Sequence, residues 1–409
     1  MRLRRRRTAI AAFLAVMGPG IITGFAGNDA GGVATYTAVG GRYGYELLWL
    51  LAIVSVSLLV VLDVCVRLAV VTGKGLSDLI RERFGVRWTV VAMLALIVAN
   101  GSNVVAEYAG VAAALDLIGV PPLVSLPVTA AVLWSLIVFA SYRLVERALF
   151  VLILAFVAYP VSAIIVGPDW GAALRSIVAP TVPTQRDAIV MALALVGTTI
   201  TPYMLFYEQA SVVDKGIDER SYGLARLDVA FGSILHGIFA LFIVVVAATV
   251  LFPAGVRVET AEEAARALRP LAGEQAGLLF GMGLLGASLL GAVVMPLSTA
   301  YAICEAFGWE SGISHDFDDA PVFMGLVTAL LGLGAVVVLL VPRELLIQLI
   351  VVSQAVNGVL LPIVLVFLFK LATDRTLMRE RALGRLGALV GWGTTALVAV
   401  MTAAYFVVR

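Results

Sequence analysis

Asp29 lies in Gly27-Asn28-Asp29-Ala30-Gly31-Gly32, a carboxylate and an amide among small residues at the end of an apolar run. An ionised carboxylate at bilayer depth costs several kcal/mol unless it is paired or binds a cation. No basic residue lies in this stretch. None lies in a comparable one, Gly197-Thr198-Thr199-Ile200-Thr201-Pro202-Tyr203, where a proline follows three threonines inside an apolar run. A metal cation is then the natural partner of Asp29, and unwound backbone adds neutral carbonyl ligands, tolerated at that depth only where protein or water satisfies them. Asp29 also suits the N-cap of a following helix half, a role compatible with the first.

The elements that must hold these residues follow from composition. The 409 residues are 61% apolar and 13% charged, where a soluble domain is about half apolar and a quarter charged. Eleven apolar stretches are long enough to cross a bilayer: 8–40, 46–71, 88–114, 122–141, 146–166, 187–213, 227–251, 276–307, 321–341, 344–370 and 385–408. The reading is an all-α polytopic membrane protein of eleven transmembrane helices, one transmembrane domain over 1–409. The interruptions fall in spans one and six, the first of two consecutive groups of five. Five is odd, so the second group is inverted relative to the first, as in many secondary transporters that bind substrate at the midplane between discontinuous helices. This 5+5 inverted repeat comprises 8–166 and 187–370, with 385–408 as an extra helix 11.

Of the 28 Lys and Arg, 19 fall at span ends and loops on the side of the N-terminus and 8 on the other, the last being Arg67 within span two. The positive-inside rule puts the N-terminus in the cytoplasm and the C-terminus outside, in a plasma (inner) membrane. The Arg-rich start leads into a run without a small-residue cleavage site, and reads as a retained first helix. Arg67 stands four residues after Asp63, spacing that pairs them on one helical face. A net charge of +1 without a basic face speaks against nucleic-acid binding. Cys65 and Cys304, both in apolar runs, indicate neither a disulfide framework nor a thiolate metal site.

Gly18-Pro19-Gly20 followed by Asp29, Gly197 to Pro202 in span six, and Ser353-Gln354 with Leu361-Pro362 in span ten resemble the Nramp family of divalent-metal transporters. The resemblance runs through the whole chain and implies the LeuT-like fold also found in amino-acid transporters. The family's Asp-Pro-Gly-Asn reads here Asp29-Ala30-Gly31-Gly32, and its Met-Pro-His reads Thr201-Pro202-Tyr203. The family's methionine supplies a thioether suited to transition metals, whereas Mg²⁺ takes oxygen ligands and keeps several waters. Thr201 replaces sulfur with a hydroxyl, and Gly32 removes an amide and leaves more room. The pattern is most like the Nramp-related magnesium transporter branch.

The resemblance implies a metal site of Asp29, the Ala26 carbonyl, Thr201, the Thr198 carbonyl and Gln354. Asn28, Gly32, Asn357 and Tyr203 stand beside it for water-mediated contact; the amides equally suit interhelical hydrogen bonding. For coupling, the family's third-helix Asp-x-x-Glu reads Val104-x-x-Glu107, and its two sixth-helix histidines read Tyr203 and Glu208. Only Glu107 survives, so metal passage without obligatory proton coupling is expected. Glu208 leaves a rerouted path open, or attracts cations at the cytoplasmic mouth.

A dication crossing 100 mV gains roughly 4.6 kcal/mol, enough to drive uptake without protons. The expectation is alternating-access uptake of Mg²⁺, with Mn²⁺ also carried, by a monomer in the lipid bilayer, with no cofactor. The alternative is the family's usual proton-coupled Mn²⁺/Fe²⁺ transporter. Further readings are an organic-solute carrier of the same fold, which an anionic break disfavours, and a metal sensor that moves nothing. No His-Glu-x-x-His, Gly-x-Ser-x-Gly or second aspartate in a break supports an enzyme. His236 reads as a helix-packing residue, His315 as a solvated loop residue, and 259–274 as a short exposed helix.

Overall fold

The computed structural model describes residues 16–181, 186–258, 274–342 and 360–408, with the isolated positions 13, 263 and 357. Among these the regular secondary structure is helical throughout. The first apolar run is two helices, α1 (Pro19–Ala26) and α2 (Ala30–Tyr43). Then come α3 (Leu48–Thr72), a short amphipathic α4 (Leu76–Phe84), α5 (Val86–Asp116) and α6 (Pro122–Phe139). The fifth span is α7 (Tyr142–Leu154) and α8 (Ala158–Val166), joined by one 3₁₀ turn. After α9 (Trp170–Val178), the second interrupted run is α10 (Arg186–Thr199) and α11 (Pro202–Asp214). The chain continues through α12 (Tyr222–Ala254), α13 (Glu274–Phe307) and α14 (Pro321–Leu340). It finishes with α15 (Leu360–Thr373), α16 (Arg375–Met378) and α17 (Arg385–Val408).

Proline and glycine punctuate these helices. Pro19, Pro122, Pro202 and Pro321 each stand in a first turn, where the missing N–H costs nothing. Gly73, Gly167 and Gly255 end their helices in the left-handed conformation. Nine helical segments of the described residues are long and apolar enough to cross a membrane, the pair α10–α11 counting as one. The divided first run is additional to these, and α15 is the described part of the expected span 344–370. Residues 343–356, like most of 259–273, lie outside the described residues. Span five begins at Tyr142, four residues before the expected 146, and the helices α4 and α9 were not foreseen.

Large apolar side chains such as Leu123, Phe139, Leu154 and Ile164 are exposed on the periphery, the surface a bilayer would cover. The centre is packed through small residues. A Cβ on Gly24 would lie 2.5 Å from the Gly232 carbonyl, and one on Gly232 would lie 2.0 Å from that of Gly20. Helices α1 and α12 therefore meet backbone to backbone, the close crossing that small residues permit in membranes. Asp63 and Arg67 pair as their spacing predicts, at 2.9 Å, and Arg226 (3.3 Å) and the Tyr222 hydroxyl (2.8 Å) join them. Cys65 and Cys304 are buried and free.

Candidate metal site

The first break begins where α1 stops at Ala26. In an unbroken helix the Ala26 carbonyl would accept from the Ala30 N–H, four residues on. Instead that N–H donates to Glu107 Oε2 of α5 at 3.1 Å, and the Ala26 carbonyl accepts from the Tyr203 hydroxyl of α11 at 2.7 Å. Asp29 is the N-cap of α2, its Oδ1 accepting from the Gly32 N–H at 2.6 Å. Its Oδ2 lies 3.1 Å from the same Tyr203 hydroxyl. A phenol has one hydrogen, so Tyr203 serves the carbonyl or the carboxylate at any moment and leaves the other oxygen to another partner.

The Gly24 carbonyl also loses its helical donor, because the Asn28 N–H turns back to Phe25 O at 3.0 Å. His236 of α12 replaces that donor, with Nδ1 2.9 Å from Gly24 O. A carbonyl only accepts, so Nδ1 carries the hydrogen and a neutral ring offers Nε2 to the Tyr36 hydroxyl of α2, 3.2 Å away. Tyr36 in turn lies 3.2 Å from Thr199 Oγ1 at the end of α10. His236 is indeed a packed helix residue, and its contacts also bridge the two halves of the first break to the second.

The second break has a different cause. Pro202 has no N–H to offer the Thr198 carbonyl and drives the residue before it out of helical geometry; Thr201 has φ −102° and ψ 145°. Thr199 Oγ1 bonds back to Leu195 O at 2.7 Å. The buried Thr201 hydroxyl has no hydrogen-bond partner. Thus the proline leaves a carbonyl without its helical donor, and one turn of chain carries an unclaimed hydroxyl beside it.

Of the expected site residues, Asp29, Ala26 and Tyr203 are in direct contact, and Thr201 and Thr198 belong to the break that Tyr203 follows. Glu107, set apart by the sequence reading as a coupling residue, belongs with Asp29: both carboxylates sit on N–H groups of one helix start, where the dipole favours negative charge. The expected room at Gly32 is corrected, since a Cβ there would lie 2.8 Å from the Gly27 carbonyl. Asn28 donates to His236 O at 3.3 Å and leaves its Oδ1 without a partner. Asn357 is buried with both side-chain polar atoms unpartnered. Glu208 accepts from the Thr23 hydroxyl of α1, three residues before that helix ends, at 2.5 Å. Gln354 lies outside the described residues.

Sequence reasoning missed two residues. Met204 packs against Gly27, its sulfur 3.0 Å from where a Cβ would stand, so a thioether does border the break from one position past Tyr203. Asp228 of α12 accepts from the N–H groups of Gly18 and Gly20 at 3.1 and 2.7 Å; its signal was a second aspartate at the start of an apolar run. Among the described residues no three His, Cys, Asp or Glu side chains are grouped to hold a metal ion. A cation at the first break would thus meet one or two carboxylates and neutral oxygens, a weak hold of the kind passage requires.

Residues 20–409 match the family described as Nramp, natural resistance-associated macrophage protein-like. The chain belongs to the Nramp family. It is similar to the divalent metal cation transporter MntH of Ralstonia nicotianae, 30% identical over 94% of this chain and 88% of the relative. It is also similar to MntH of Aeromonas hydrophila, 27% identical over 95% and 96% of the two chains. In structure it is similar to the Eremococcus coleocola manganese transporter, with a TM-score of 0.77 and 18% identity over 95% of this chain and 85% of that one. A more distant likeness joins it to MhsT crystallised with L-phenylalanine, with a TM-score of 0.57 and 15% identity over 97% of each chain. This Nramp chain therefore has the LeuT-like fold its sequence implied, and it is a multi-pass membrane transporter of divalent metal cations, not an enzyme.

Proposed function

We propose that this transporter takes up hard, oxygen-preferring dications, Mg²⁺ first and Mn²⁺ as well, bound partly hydrated between the two breaks. The observation that carries the reading is the Thr201 hydroxyl, buried and unpartnered at the position where the family has a soft methionine. With it stand Asp29 and the Ala26 carbonyl, joined by one phenol. A hydroxyl, a carboxylate and carbonyls are the ligands of Mg²⁺ and Mn²⁺ rather than of softer metals. The halves 8–166 and 187–370 rock about this site in alternating access. The protein is a monomer in the inner membrane, with its N-terminus cytoplasmic.

Passage is not tied to protons in this reading. Val104 and Tyr203 stand where the family has an aspartate and a histidine, and Glu208 is engaged with α1. The test is Mg²⁺ and Mn²⁺ entry into proteoliposomes at a set potential with a pH dye inside. Entry of Mg²⁺ without acidification is expected; Mn²⁺ entry with acidification and no Mg²⁺ flux would overturn the reading.

That second outcome is the other reading, a proton-coupled Mn²⁺/Fe²⁺ transporter, and Met204 favours it by placing sulfur next to Gly27. The names of the similar MntH proteins and of the manganese transporter point the same way. Two substitutions separate the readings. Thr201→Met should tighten Mn²⁺ relative to Mg²⁺, whereas Met204→Leu should leave Mn²⁺ affinity in place; a large Mn²⁺ loss in the latter would make Met204 the ligand.

A further inference from the structure

Apart from Asp29 and Glu107, two fully buried carboxylates face α1. Asp228 of α12 accepts the Gly18 and Gly20 N–H groups on Oδ2, and Glu208 of α11 accepts the Thr23 hydroxyl on Oε2 at 2.5 Å. The other oxygen of each, Asp228 Oδ1 and Glu208 Oε1, is buried and has no donor. Among the described residues neither carboxylate is in an ion pair. Lys215, near this end of α1, is bonded to Glu146 (2.5 Å) and the Met17 carbonyl (2.6 Å) rather than to either carboxylate. A buried carboxylate oxygen without a donor is costly at this depth, and a dication with oxygen ligands would relieve both.

We propose that Asp228 and Glu208 form a second dication station, for which the docked helix α1 and the cation compete. Every donor these carboxylates now use, Gly18 N–H, Gly20 N–H and the Thr23 hydroxyl, belongs to α1 or its first turn. That helix is eight residues long, is cut from α2 by the break, and meets α12 backbone to backbone at Gly20, Gly24 and Gly232, with one ring contact between Phe25 and Phe239 (centroids 5.1 Å). Moving α1 away removes all three donors together and leaves two carboxyl groups without them along its path. A cation at this station therefore holds α1 undocked, and its departure lets the N–H groups return. The station rests on the transport reading for its cargo, but its geometry does not involve Asp29.

The test uses the full chain in nanodiscs, with Cys65→Ala, Cys304→Ala and Ile22→Cys to report on α1, and Asp29→Ala to silence the first site. Labelling of position 22 by a charged maleimide should quicken severalfold on adding Mg²⁺. With Glu208→Gln and Asp228→Asn added, the amide oxygens still accept from α1 but no longer hold a dication, so labelling should be slow and indifferent to Mg²⁺. Labelling that ignores Mg²⁺ with both carboxylates present, or that still responds with both neutralised, would overturn the proposal. If the double variant does not fold, each single one, nearly isosteric, decides: a Mg²⁺ response undiminished in both monodisperse singles also overturns it. Failure of the transport reading would appear separately, as absent flux in the otherwise wild-type chain.

Discussion

The two breaks solve one problem in opposite ways. In the first, three freed backbone groups have side-chain substitutes from other helices: Tyr203 for the Ala26 carbonyl, Glu107 for the Ala30 N–H, and His236 for the Gly24 carbonyl. In the second, proline simply deletes the donor and the Thr201 hydroxyl is left unclaimed. The difference separates what is built from what is available. The first break is a frame whose carboxylates and carbonyl are held in place; the second contributes a hydroxyl without a hydrogen-bond partner, which a passing ion takes at least cost.

The largest effect should come from removing the charge in the frame. Asp29→Ala is expected to abolish metal flux into vesicles while the protein stays monodisperse, because Tyr203 still has Ala26 to bond; full flux in that variant would dissolve the site. Next, Glu107→Ala strips the acceptor from a buried N–H, a loss of about 1–3 kcal/mol read as a lower unfolding midpoint in detergent. Glu107→Gln restores an acceptor oxygen and should recover most of that stability but not the flux. Equal midpoints for the two variants would show that Glu107 does not support the break. Tyr203→Phe should weaken the frame by only about 1 kcal/mol, since one hydrogen serves two oxygens. Smallest, and opposite in character, is Thr201→Val. Deleting an unpartnered hydroxyl should leave the unfolding midpoint unchanged or slightly raised, yet weaken Mg²⁺ uptake. A clear drop in midpoint would mean that this hydroxyl has a structural partner, and the contrast between the breaks would fail.

Both breaks were legible in the amino-acid sequence because glycine, proline and aspartate act on their immediate neighbours: Pro202 unseats Thr201, and Asp29 caps the helix that starts beside it. The span pattern was legible for the same reason, hydropathy being local. What could not be read is who satisfies the freed groups. Nothing near Ala30 announces that its N–H will find Glu107, and His236 looked like any packed residue until Gly24 came to lie against it. Gly32 misled because a missing side chain was taken for space, when the Gly27 carbonyl had moved into it. Met204 stands one position past Thr201-Pro202-Tyr203, where an apolar residue in an apolar helix carries no signal of its own.

The frame around the first break also fixes an order in time. Ala30 waits for a partner 77 residues further along, Ala26 for one at 177 and Gly24 for one at 212. During synthesis these groups enter the bilayer with nothing to satisfy them, at several kcal/mol each. The first helices made are thus among the last to settle, and must be kept wet or shielded until α12 has been delivered.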